Sequence, residues 1–233
     1  MPERRSVAPP AWLRRSFWSL CGRLVWDAGG SSRSVVDAVV AALRARRAAE
    51  CERVLDAGCG TGDCVLALAR ERVAAVGVDF APGMLAHARA KAAASGAACA
   101  FVGATLDARL PFPDGDFDHA LCVSALQAVA DPAFTLGELR RVLKPGGSLV
   151  LVHHPRPALH RFPFGHELRV RAGRLPSPSP AQVALVAAKA WAERRDGAYW
   201  SPAELRAMLD AAGYALVSLA EAPSLLAVAE RPR

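Results

Sequence analysis

Ten residues constrain this chain more than any others: Val54-Leu55-Asp56-Ala57-Gly58-Cys59-Gly60-Thr61-Gly62-Asp63. A short apolar run enters three glycines at alternate positions and then a helical pattern. Glycine accepts the backbone angles of a tight turn, and without a Cβ it lets a ligand approach the main chain closely. A second apolar run, Ala75-Val76-Gly77-Val78, ends in Asp79, 21 residues after Gly58. In doubly wound folds an acid at that place accepts hydrogen bonds from ribose hydroxyls. The turn, the acid and the strand–helix–strand context together predict an adenosine ligand across the carboxyl ends of the first two strands.

The rest of the chain continues the alternation. Residues 62–72 and 81–95 read as helices, the second with Pro82 in its first turn. Strands follow at Ala98–Val102 and Phe117–Val123. A helix over Pro132–Leu143 stops at Lys144-Pro145-Gly146-Gly147, and Ser148–His153 is the fifth strand. Repeated strand–helix units predict an α/β fold: a doubly wound, mostly parallel sheet with helices on both faces. Residues 154–180 are rich in proline and glycine and have no period. Helices then run over Pro180–Arg195 and Ser201–Ala212, and Tyr214–Leu219 and Leu225–Ala229 form a hairpin-like ending. Ahead of the motif, Val35, Val36, Val39, Val40 and Leu43 recur at helical spacing. We expect one domain over 1–233: a helical cap (1–49), a cofactor-binding core (50–155), a substrate-side insertion (156–200), and a last helix with a hairpin (201–233). For the aromatic, basic segment Trp12–Trp26 two readings stay open, a helix capping the domain and a targeting segment.

Composition removes other classes. With 233 residues, 52% of them hydrophobic, the chain is too apolar for disorder and long enough to bury a substantial core. No run approaches about twenty apolar residues, so no membrane span is expected. Six cysteines with no Cys-x-x-Cys exclude a disulfide scaffold and a structural zinc site. They read as free thiols of a reducing, cytoplasmic protein. The net charge is +7, and only three of the 29 basic residues are lysine. Arginine and alanine excess points to a GC-rich genome rather than to nucleic-acid binding. The charge is nevertheless uneven, concentrated in residues 1–53 and 156–174.

The spacing also discriminates among adenosine ligands. The dinucleotide fingerprint is G-x-G-x-x-G, but here the third glycine comes one residue early and Asp63 takes its place. A carboxylate there faces pyrophosphate badly and suits a ligand bearing an ammonium or sulfonium. Asp56 adds a second carboxylate. This charge logic favours S-adenosylmethionine over NAD.

Asp56-Ala57-Gly58-Cys59-Gly60-Thr61-Gly62 resembles motif I of the class I S-adenosylmethionine-dependent methyltransferases. Asp79-Phe80-Ala81-Pro82-Gly83-Met84-Leu85 resembles their second motif. Leu110–Asp118 and Glu138–Gly147 resemble the stretches before their fourth and fifth strands. The likeness covers about residues 50–155 and is nearest to the small-molecule, type 11-like branch. It implies a Rossmann-like methyltransferase sheet of seven strands, in the order 3-2-1-4-5-7-6, with strand seven antiparallel. It further implies cofactor contacts at Asp56, Gly58, Cys59, Gly60, Gly62, Asp79, Phe80, Met84, Thr105, Leu106 and Ser124. Asp79 would take both ribose hydroxyls, and Phe80 or Met84 would pack on adenine. Many members carry an Asp for the adenine amino group where this chain has Thr105; Asp107 could substitute only if the loop is rearranged.

His153 and His154 end the fifth strand, at the substrate edge of such a fold. Either could be a general base, or a structural residue. His160 and His166 follow nearby, without ligand-like carboxylates, so no metal site is expected. Cys59 and Cys64 read as packing residues. Gln127, in the loop after the fourth strand, is either a pocket residue or a helix start. That loop lacks the Asn/Asp-Pro-Pro-aromatic signature, and the chain lacks a Pro-Cys nucleophile, so a nucleic-acid acceptor is not expected. The expected reaction is methyl transfer to O, N or C of a small molecule by in-line alignment, in a monomer or homodimer. Two alternatives remain: an NAD-type oxidoreductase and a non-catalytic cofactor-binding subunit. The clustered arginines have two readings, an anionic acceptor faced by Arg14, Arg15, Arg156, Arg161, Arg169 and Arg171, and arginines scattered by codon bias over solvated loops.

Overall fold

In the computed structural model, residues 11–24, 33–46, 52–153, 179–196, 200–221 and 224–233 are described. Helices α1 (Ala11–Leu24) and α2 (Arg33–Arg44) precede β1 (Arg53–Ala57), α3 (Asp63–Arg70) and β2 (Ala74–Asp79). Then come α4 (Pro82–Ser95), β3 (Ala100–Gly103), β4 (Phe117–Val123), α5 (Pro132–Val142) and β5 (Leu143–His153). The chain closes with α6 (Pro180–Asp196), α7 (Pro202–Ala211), β6 (Ala215–Ala220) and β7 (Leu225–Glu230).

The described strands form one seven-stranded sheet in the order β3-β2-β1-β4-β5-β7-β6. β1 to β5 run parallel, and β7 is antiparallel to both neighbours. The order implied by the resemblance is the one observed. β1 and β4 are buried along almost their whole length, so apolar residues stand at consecutive positions (Val54-Leu55 and Ala120–Val123) rather than in alternation. Two apolar layers cover the sheet. Val39, Val40, Leu43, Val65 and Leu68 of α2 and α3 lie in one, while Leu136, Leu139, Leu205 and Leu209 of α5 and α7 lie in the other.

Local chemistry explains several boundaries. Asp131 caps α5 by accepting from the Ala133 and Phe134 N–H groups, with Pro132 in the first turn. Ser201 and Glu204 form a reciprocal capping box that starts α7 at Pro202. One boundary departs from expectation. β5 begins at Leu143 rather than Ser148, because Leu143 already pairs with Phe117 before the register shifts at the β4 bulge. Lys144-Pro145-Gly146-Gly147 is therefore an irregular start of the strand, held by Gly146 N–H to Arg231 O (2.8 Å) and Arg231 N–H to Gly147 O (2.9 Å). No described helix is long and apolar enough to cross a membrane.

Candidate functional site

Parallel strands bring their carboxyl ends to one edge, and the chain's unusual residues collect there. The turn after β1 carries Gly58, Gly60 and Gly62, all at positive φ. A Cβ on Gly58 would lie 2.4 Å from the Ala125 Cβ, so the turn sits directly against the loop after β4. The Gly58 and Cys59 N–H groups both donate to Val78 O on β2, at 2.8 and 2.9 Å. Gly60 N–H donates to Asp79 Oδ2 at 3.0 Å, and Ala81 N–H to Oδ1 at 2.8 Å. The acid is thus fixed by main-chain donors, and each carboxylate oxygen keeps a further lone pair for hydroxyl donors. Burial pushes Asp79 above the usual carboxylate range, opposed by its hydrogen bonds from Ala81, Gly60 and Phe80.

Asp56, the penultimate residue of β1, precedes the turn and is buried. Burial pushes its carboxyl up to about 7, and the neighbouring charges of Asp79 and Asp63 push in the same direction. A buried acid in that state fits a cationic ligand, which would favour its ionised form. The Asp63 carboxylate is paired with Lys91 of α4, which also donates to Thr61 Oγ1 at 3.3 Å. Its charge is thus partly balanced within the chain, while it still adds to the negative potential at Asp56. Burial raises the thiols of Cys59 and Cys64 well above their ordinary value, as expected of packing residues.

The remaining expected cofactor positions border the same edge. Met84 is buried and Phe80 half-buried, both beside a cluster that includes Phe17 and Trp18 of α1. Thr105 Oγ1 accepts from the Asp107 N–H at 3.1 Å, and Leu106 is buried near Gly58. Ser124 follows β4 at φ 55°, in the left-handed region, with its N–H on Val152 O. Asp107 faces elsewhere: Oδ1 accepts from Ala130 N–H at 2.6 Å and Oδ2 pairs with Arg14 at 3.2 Å.

At the end of β5, His153 is fully buried. Trp200 N–H donates to its Nε2 at 3.0 Å, so the neutral ring carries its proton on Nδ1, which faces Gln127 Oε1 at 3.3 Å. Both ring nitrogens are occupied, and the Trp200 indole lies 4.8 Å from the imidazole. Gln127 was ambiguous in sequence; its partner lies 26 residues away, and no local signal marks the pair. His154, His160, His166 and Arg156, Arg161, Arg169 and Arg171 lie outside the described residues, as do Trp26 and Tyr199. Arg14 is half-buried and bound to Asp107, so its charge is matched within the chain rather than directed at an acceptor.

A family model described as "Methyltransferase domain" matches residues 54–147. The chain is 40% identical over 168 residues to the demethylmenaquinone methyltransferase of Thermus thermophilus, covering 71% of this chain and 75% of that protein. It is 44% identical over 128 residues to the demethylmenaquinone methyltransferase of Deinococcus radiodurans, about half the length of each. It is 40% identical over 103 residues to the phosphatidylethanolamine N-methyltransferase of Cereibacter sphaeroides, covering 44% of this chain and 50% of that one. Among solved structures, magnesium protoporphyrin IX methyltransferase from Synechocystis with bound SAH aligns with a TM-score of 0.67 at 20% identity. That alignment covers 95% of this chain and 100% of the other, and shows the shared fold.

Proposed function

The chain belongs to the class I S-adenosylmethionine-dependent methyltransferases, and on that premise we propose that it methylates a small hydroxylated ring of the demethylmenaquinone type, at carbon. One observation carries the choice of acceptor: 40% identity to a demethylmenaquinone methyltransferase over three quarters of that protein. S-adenosylmethionine, when bound, supplies an activated methyl group on a sulfonium. The residues of the edge fit it. Asp79 is oriented for the ribose, the backbone of Gly58 and Gly60 admits close approach, and Asp56 and Asp79 favour a cation.

The chain's own part in the reaction is alignment. The loop Ser124–Val129 packs against the glycine turn and forms the wall between cofactor and acceptor. Holding the acceptor atom in line with the methyl group supplies several kcal/mol of barrier lowering, on the order of 7–11 at the limit. A ring carbon becomes nucleophilic when its neighbouring hydroxyl gives up a proton, so a base accelerates this acceptor class. His153, with both nitrogens engaged, serves as a positioning residue that holds Gln127 and Trp200. His154 is the candidate base.

Incubation with methyl-labelled S-adenosylmethionine and a short-chain demethylmenaquinol, kept reduced, tests the proposal by mass spectrometry. Label on a ring carbon is the expected result. Label appearing instead on phosphatidylethanolamine, or on no quinol while S-adenosylhomocysteine still binds, overturns the acceptor and leaves the cofactor standing.

A further inference from the structure

We propose that Lys91 is a positioning residue for cofactor binding: it holds the glycine turn from α4 and sets how much of the Asp63 charge reaches Asp56. This role rests on the cofactor site described above, and it is exerted through Thr61 and Asp63 rather than on the ligand. The Lys91 ammonium spans two side chains of the turn. It pairs with the Asp63 carboxylate and donates to Thr61 Oγ1 at 3.3 Å. These partners flank Gly62, and Thr61 is fully buried.

Gly62 is the N-cap of α3, and no side chain caps the helix there. The turn therefore takes its anchors from outside. Asp79, just ahead of α4, holds the Gly60 N–H at 3.0 Å. Lys91, in the second half of α4, holds Thr61 and Asp63. One segment thus grips both ends of Gly60–Asp63. Between the two grips the turn is pressed against its backing: a Cβ on Gly62 would lie 2.7 Å from the Phe101 ring and 3.2 Å from the Ala88 Cβ, one helical turn before Lys91. Arg89 Nη2 donates to Phe101 O at 2.9 Å and ties that strand to the same helix. A displacement at Lys91 is passed directly to the backbone that the cofactor approaches.

The second effect is electrostatic. The groups facing Asp56 are Asp79 on β2, Asp63 on α3, and the thiols of Cys59, Cys64 and Cys122. None of them brings a positive charge. Among the described residues, Lys91 is the cation paired with this set. Without it the Asp63 charge stands unbalanced, and Asp56 gives up its proton at higher pH. Lys91 and Asp63 have side-chain exposures of 29% and 35%, so solvent screens the pair and the displacement is modest.

Titration calorimetry with S-adenosylhomocysteine and S-adenosylmethionine from about pH 6 to 9, with Tm recorded for every variant, tests both effects. Lys91→Met should weaken both ligands by about threefold to tenfold and move the pH midpoint of S-adenosylmethionine binding up by about half a unit. Lys91→Arg keeps the charge and the donors and should retain the wild-type midpoint. Asp63→Asn should move the midpoint down, and adding it to Lys91→Met should return the midpoint to the wild-type value or below while the affinity loss persists. A Lys91→Met protein that loses Tm but keeps both affinity and midpoint overturns the proposal, because a merely structural residue behaves that way. A midpoint that stays raised in the double variant overturns the route through Asp63. Failure of the wild-type protein to bind either ligand overturns the cofactor site itself, and the role of Lys91 with it.

Discussion

Asp79 Oδ2 accepts the Gly60 N–H at 3.0 Å, and this contact ties the glycine turn of one strand to the end of the next. The same carboxylate holds Ala81 N–H through its other oxygen. Ligand site and turn geometry therefore depend on one side chain.

Asp79→Ala should abolish measurable S-adenosylmethionine binding and also loosen the turn. Loss of a charged acceptor with several donors costs about 2–3 kcal/mol or more, roughly 30-fold to 160-fold in affinity. Asp79→Asn keeps one acceptor oxygen and should lie between. Titration calorimetry with a parallel Tm measurement checks both, and unchanged affinity in Asp79→Ala would contradict the site.

Gly58→Ala should be poorly tolerated although it adds one methyl group. Its φ is +77°, and the new Cβ would meet Ala125 Cβ at 2.4 Å. We expect a lower Tm and cofactor affinity reduced by about tenfold or more. Adding Ala125→Gly should recover part of the loss, since it relieves the collision but not the backbone strain.

Asp56 predicts a pH dependence of defined sign. Its carboxyl is raised from 3.8 to about 7 in the folded protein, by burial first and then by Asp79 and Asp63. Stability from this group is fully present below the unfolded value of 3.8 and is lost as pH rises through about 7. Cofactor affinity should run the opposite way, because a cationic ligand favours the ionised acid. Affinity should rise between about pH 6 and 8, with proton release on binding. Calorimetry in buffers of different ionisation enthalpy measures that release, and Asp56→Asn should abolish it.

His153→Ala should lower Tm, since it strands the Gln127 amide and the Trp200 N–H at a cost of about 1–3 kcal/mol. It should leave the acidic limb of the kcat/KM–pH profile in place. His154→Ala should remove that limb with little change in Tm. The reverse pattern would assign the base to His153.

The parts of the fold legible in sequence were those set by near neighbours. Glycines 58, 60 and 62, the acid at 79 and the buried strands announced the cradle because turn chemistry and apolar runs are local properties. The start of β5 was misplaced because Leu143 pairs across a bulge with Phe117, and nothing in Lys144-Pro145-Gly146-Gly147 reports that pairing. The pairing of Asp63 with Lys91 was not legible, because the two stand 28 residues apart on different helices. The Arg14–Asp107 contact spans 93 residues and Gln127–His153 spans 26. Such side-chain pairs arise from tertiary packing, which no period or spacing encodes.

The position of β7 has a consequence for biosynthesis. This strand is made after β6 yet lies between β6 and β5. On the ribosome, β5 is left with an open hydrogen-bonding edge, and β6 has no neighbour to join, until residues Leu225–Glu230 clear the exit tunnel. The sheet gains β6 and β7 only once that segment has emerged, and in the interval the nascent chain presents an open strand edge that a chaperone can occupy.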